Sequence, residues 1–212
     1  PPVIGHRGAP LHAPENSLAG FEKAAELGAQ WVEFDVMLSA DGIPVVHHDL
    51  TLDRTAGRSE AVADLSAESL AEVDVGERFN AHYRGQKLPT LAKVIERLGE
   101  LNLGANVEIK PAPGREAETT RAVLAALQSH WPSHLPPPLI SSFSGAVLAI
   151  TAEVAPELPR GWLGEKLPED WQVRVKACGC VSVHLGWEEL DEAAAAAVNA
   201  AGYALAVWTV HD

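Results

Sequence analysis

The chain has 212 residues, 47% hydrophobic and 21% charged, an ordinary balance for one soluble globular domain with a sizeable core. Its formal charge of −13, from 16 basic and 29 acidic side chains, opposes nucleic acid as a partner, because an acidic surface repels a polyanion. No apolar run approaches the roughly 20 residues of a membrane helix, and the opening PPVIGHRG lacks the basic-then-apolar pattern of a secretory leader.

Short apolar strands alternate with helical stretches from the first residues. VIGHRG reads as a strand, and PENSLAGFEKAAELG as a helix opened by Pro14 and stopped by Gly28, with Leu18, Phe21 and Ala25 at helical spacing. WVEFDVML is a second strand, followed by the turn signal Ala40-Asp41-Gly42 and an extended run, IPVVHHD. From about Leu50 to Pro89 the alternation breaks into polar pieces, read as a small insertion with little core of its own. PTLAKVIERLGEL then resumes as an amphipathic helix with Leu91, Val94, Ile95 and Leu98 on one side. The strands VEIK, ISSF, GWLG, VSVH and AVWTV follow, separated by helical stretches that end in the Ala-rich ELDEAAAAAVNAAG.

Seven such strands in βα alternation predict a parallel α/β architecture, as a barrel or a doubly wound sheet. A (β/α)₈ TIM-type barrel needs one more helix and strand than can be found before Asp212. The single domain is expected to span 1–212. Cys178 and Cys180 are too sparse for a disulfide framework and lack the partners of a zinc site. They read as small core residues, consistent with a reducing, cytoplasmic setting.

Polar residues at the ends of apolar strands carry the chemistry. Residues i and i+2 of a strand share a face, so Glu33 and Asp35 project together, as do Glu108 and Lys110. Three carboxylates converging at one barrel mouth repel unless a cation lies between them, and hard oxygen ligands select Mg²⁺ or Ca²⁺. One divalent cation is therefore expected as cofactor. Histidine in general titrates near neutrality, so His6 and His48 are expected to serve as an acid/base pair; His47 falls on the opposite face from His48. Arg7 can clamp a phosphate bidentately, with Lys110 as a second positive group. Trp162 suits core packing as well as a pocket wall.

At these residues the sequence resembles the glycerophosphodiester phosphodiesterase family. GHRGAP, PENSLAGFEKAAELGAQWVEFDVMLSADGIPVVHHDLTLDRTAG, DVGERFNAHYRGQKLPTLAKVIE, NVEIKP, ISSF and AVWTVHD carry the likeness over nearly the whole chain. The resemblance implies a (β/α)₈ barrel with an insertion after the second strand, here without the family's final helix and closing strand. It implies His6 and His48 as acid/base residues and Glu33, Asp35 and Glu108 as metal ligands. Arg7 and Lys110 would contact phosphate, with Phe143 and Trp208 at the substrate. The expected reaction is hydrolysis of glycerophosphodiesters to glycerol 3-phosphate and an alcohol. A lipid-directed phospholipase of related mechanism and an inactive phosphate-binding barrel are the alternatives. A second chain could cover an open seam, so a homo-oligomer is allowed.

Overall fold

Strand β2 (Trp31–Leu38) shows how the sequence orders the molecule. Val32, Phe34 and Val36 are fully buried on its outer face, where the rings of Phe34 and Phe21 lie 5.6 Å apart. Strand alternation then sends Glu33 and Asp35 to the inner face. Strand β4 (Gly104–Ile109) repeats the pattern, with Ala105, Val107 and Ile109 outward. Its parallel register sets Asn106 opposite Glu33 and Glu108 opposite Asp35. Each large apolar side chain buried this way contributes about 1.5–3 kcal/mol. A slip of one residue would turn that apolar row into the barrel interior and the carboxylates out against the helices, so register and site are specified together.

The computed structural model describes residues 3–210. Its parallel strands form one curled sheet in the order β1 (Gly5–His6), β2, β4, β5 (Leu139–Ser142), β6 (Arg160–Gly164), β7 (Ser182–Gly186), β8 (Ala204–Trp208). Strand β3 (Pro44–Val46) pairs antiparallel with β2 as the return arm of a hairpin. The result is the expected α/β barrel wall, a half-barrel in which β1 and β8 are edges among the described residues. Helices α1 (Leu18–Glu26), α4 (Leu91–Leu101), α5 (Glu116–His130) and α6 (Gly145–Val154) cover one part of its outer face. Trp162, Trp171, Val175, Val183 and Val198 form a second cluster, shared with α7 (Trp171–Ala177) and α8 (Glu192–Ala200). Trp162 is thus core. Cys178 and Cys180 belong to the same cluster, free and buried, but flank Gly179 in a turn instead of lying along a strand. Burial pushes the Cys180 thiol up to about 12, which leaves it an inert packing group.

Two expectations need correction. Helix α1 begins at Leu18, not at Pro14: Ser17 is its N-cap, accepting from the Gly20 N–H at 3.0 Å, while Asn16 stands in left-handed conformation at φ 53°. The insertion has a core. Leu52, Val62, Leu70, Val73, Val75 and Leu88 close over Met37 and Val45 of the hairpin, and short helices α2 (Asp53–Ala56) and α3 (Ala67–Leu70) carry part of this cluster.

Candidate active site

The inner face of the half-barrel brings the predicted residues together toward the C-terminal face of its sheet, the end at which active sites lie in this architecture. His6, Arg7, Glu33, His48, Glu108, Lys110, Phe143 and Trp208 all line one cleft of about 610 Å³. Asp35 lies beneath them, 1% exposed. A second cavity of about 600 Å³, walled by Gly8, Leu11, Ala24 and Leu27, holds none of these residues.

Glu33, Asp35 and Glu108 each offer a carboxylate oxygen within 4.8 Å of the others. Burial and the charges of Asp35 and Glu108 push Glu33 well above the usual carboxylate range. Burial and Asp35 push Glu108 up to about 7. Glu33 Oε1 and Glu108 Oε1 are buried without a hydrogen-bond partner. Orphaned acceptors beside like charges are what a hard dication would satisfy, so the three residues fit Mg²⁺ or Ca²⁺.

Positive groups surround the trio. Lys110 Nζ lies 3.6 Å from Asp35 Oδ1, and Arg7 Nε lies 3.4 Å from Asp35 Oδ2 yet makes no hydrogen bond. Arg7 sits just past β1 at φ 51°, a conformation that costs a non-glycine residue about 1 kcal/mol or more. In it the Arg7 N–H donates to Glu33 Oε2 at 3.0 Å. The following Gly8 has φ 92°, and a Cβ there would lie 2.7 Å from the Gly20 carbonyl carbon, so the turn docks against α1 as only glycine permits.

The histidines flank the carboxylates. His6 Nε2 is 3.8 Å from Glu33 Oε2, and its Nδ1 is 3.3 Å from the Thr209 hydroxyl. Burial first, then the Arg7 charge, holds the His6 imidazole down to about 4. His48 Nδ1 is 2.6 Å from Asp49 Oδ1. His47 is buried with Nε2 3.2 Å from the Thr51 carbonyl, away from the cleft. At the far rim the Phe143 and Trp208 rings meet edge to face at 5.7 Å, with the indole N–H of Trp208 buried and unpartnered.

Several site-forming residues were not singled out from the sequence: Glu15, Asn16, Asp49 and Arg54. All lie inside the quoted PENSLAG and HHDLTLDRTAG blocks, where their only signal was membership of a long motif. Asn16 is the clearest. Its amide donates to Asp35 Oδ2 at 2.9 Å and its carbonyl oxygen accepts from the Asp35 N–H at 3.3 Å, both buried. Asn16→Ala is expected to destabilise the protein by about 1–3 kcal/mol, because it leaves a buried carboxylate short of a donor. A lower urea midpoint at unchanged slope is the measurement that checks it.

Comparison with known proteins follows the same lines. The family model of the glycerophosphoryl diester phosphodiesterase family matches residues 6–212. A glycerophosphodiester phosphodiesterase of Caldanaerobacter subterraneus subsp. tengcongensis is 35% identical over 82% of this chain and 71% of its own length. One from Bacillus subtilis is 32% identical over 74% of this chain, which spans only 57% of that relative. Among solved structures, an Oleispira antarctica phosphodiesterase in complex with the product sn-glycerol-3-phosphate superposes with a TM-score of 0.97, at 37% identity, over 100% of this chain and 85% of that one. A glycerophosphodiester phosphodiesterase from Thermotoga maritima gives a TM-score of 0.75 at 30% identity, over 100% of this chain and 86% of that one.

Proposed function

The chain belongs to the glycerophosphoryl diester phosphodiesterase family, and on that premise we propose that it hydrolyses glycerophosphodiesters to glycerol 3-phosphate and an alcohol, with one Mg²⁺ or Ca²⁺ held by Glu33, Asp35 and Glu108. The observation that carries this reading is the buried trio itself: carboxylates within 4.8 Å of one another, two with orphaned oxygens, ringed by Arg7, Lys110, His6 and His48. The dication would supply the positive charge that offsets charge growing on the phosphoryl oxygens.

This chain's residues do the rest. Arg7, whose Nε–H lacks a partner, and Lys110 bind the phosphate diester and orient it over the trio. His6, kept neutral at pH 7, has a lone pair with which to take a proton from the glycerol 2-hydroxyl or from water. His48, oriented through Nδ1 by the Asp49 carboxylate, gives a proton to the departing alcohol oxygen. Trp208 and Phe143 wall the cleft, and the indole N–H of Trp208 offers one further donor to a hydroxyl or phosphate oxygen.

No helix among the described residues is long and apolar enough to cross a membrane. The proposed substrate is the small diester, and the two free thiols suit a cytoplasmic protein. EDTA is expected to stop release of glycerol 3-phosphate from glycerophosphocholine, and excess Mg²⁺ or Ca²⁺ to restore it. Undiminished turnover after exhaustive chelation would remove the metal from the reading. Preferential cleavage of phospholipid vesicles over glycerophosphocholine would remove the substrate.

A further inference from the structure

Arg54 is a charged group one contact removed from this chemistry that the mechanism above leaves unused. It lies in α2, within the insertion, with its side chain 48% exposed. Its guanidinium is shared between two carboxylates from different parts of the chain. Nη1 and Nη2 donate to Glu15 Oε2 and Oε1 at 2.6 and 2.7 Å, and Nε donates to Asp49 Oδ2 at 2.7 Å.

Each carboxylate spends its remaining capacity on a residue of the cleft. Glu15 Oε1 also accepts from Arg7 Nη1 at 3.1 Å, and Asp49 Oδ1 holds His48 Nδ1 at 2.6 Å. Charges therefore alternate along one arc, Asp35, Arg7, Glu15, Arg54 and Asp49, which ends on the His48 imidazole. Burial would raise the Glu15 carboxyl, but hydrogen bonds from Arg54 and the nearby guanidinium charges outweigh it and hold Glu15 down to about 2. Asp49 follows the same balance, with Arg54 and His48 holding it down to about 2. Both carboxylates are thus ionised anchors throughout the physiological range.

We propose that Arg54 is a positioning residue for the hydrolysis: its fork on Glu15 and Asp49 fixes the Arg7 guanidinium and the His48 imidazole relative to each other across the cleft. The proposal rests on the functional reading above. Three observations favour positioning over a plain stabilising role. Arg54 is itself half exposed, so solvent screens its pairs with Glu15 and Asp49 and limits their share of folding stability. The planar fork, unlike a lysine ammonium, dictates the orientation of both carboxylates at once. Finally, Asp49 accepting from Nδ1–H selects one tautomer of His48 and leaves Nε2 as the nitrogen free to exchange protons. Misplacement of such groups by about 1 Å is enough to lose about 100-fold in rate.

The test compares R54A, R54K, D49N and the D49N/R54A double variant on glycerophosphocholine, with thermal midpoints taken alongside. R54A is expected to melt close to the wild type yet lose about 10- to 100-fold in kcat/KM, divided between a lower kcat through His48 and a higher KM through Arg7. R54K, which keeps the charge without the fork, recovers only part of the loss. D49N/R54A falls no more than about twofold in kcat below D49N alone, since both changes cut the same link. Imidazole ¹⁵N resonances of the metal-free protein give a readout independent of turnover: one Nδ1–H tautomer for His48 in the wild type, a mixture in R54A. R54A within twofold of wild type in both kinetic constants, kcat losses that simply multiply in the double variant, or unchanged His48 resonances would each overturn the role. A wild type inert toward glycerophosphodiesters would instead refute the reading beneath it, and the resonances would still decide what Arg54 does.

Discussion

His48→Ala is expected to lower kcat for glycerophosphocholine by about 10²–10⁴-fold, the usual contribution of a positioned general acid. The variant keeps Arg7, Lys110 and the carboxylates untouched, so KM should move little. The role assigned to His48 makes a sharper demand. A substrate with a nitrophenolate leaving group needs no proton to depart, and on it the same variant should lose far less. His6→Ala, by contrast, should lose heavily on both substrates, because the proton it removes is at the attacking oxygen. An equal penalty for the two variants on both substrates would reverse or dissolve the acid/base assignment. Wild-type activity in His48→Ala would eliminate it.

Glu108→Gln should weaken catalysis and strengthen the metal-free fold. An unfolded glutamate ionises near 4.5, whereas burial and Asp35 hold Glu108 in the folded chain up to about 7. A carboxyl whose folded value is raised favours the folded state when protonated. The contribution of Glu108 to metal-free stability therefore declines as pH rises from about 4.5 to 7, and its full penalty stands above that. That penalty is on the order of 3 kcal/mol, equivalent to several degrees in melting temperature for a chain of this size. The buried imidazoles of His6 and His184, both held down to about 4, lower stability as pH falls from about 6.5 and so oppose Glu108 in this window, which makes the difference between wild type and E108Q, in which they cancel, the quantity to read. In EDTA the advantage of E108Q over the wild type in melting midpoint should be small at pH 5 and reach its full size by pH 8. With Mg²⁺ or Ca²⁺ present, the variant should lose about 10²–10³-fold in kcat, as when a preorganised charge is removed from a transition state. A variant less stable than wild type at pH 8 in EDTA, with undiminished kcat, would contradict both halves of the argument.

What could be read in advance follows from what fixes it. Val32, Phe34 and Val36 must be buried, and that local requirement alone sends Glu33 and Asp35 inward. The same parity argument separated His47 from His48. The Glu15–Arg54 contact joins residues 39 positions apart through exposed side chains, and no periodicity announces it. Nor does anything local require Arg7 and Asn16 to adopt positive φ; tertiary bonds to Glu33 and Asp35 impose it. The insertion misled for another reason. Leu52, Val62, Leu70, Val73, Val75 and Leu88 recur with no helical or strand period, so a real apolar cluster looked like scattered residues in polar surroundings.

That cluster is separate from the two that line the barrel wall. A region with its own small core can open cooperatively while the larger body stays folded. Such an opening would carry Arg54 away from Glu15 and Asp49 and leave the carboxylate trio standing. The molecule would then have a state in which the sheet persists and the metal seat is intact, but the proton-moving side of the cleft has lost its frame. If the insertion opened in this way, reactivity would be lost while the sheet still stood.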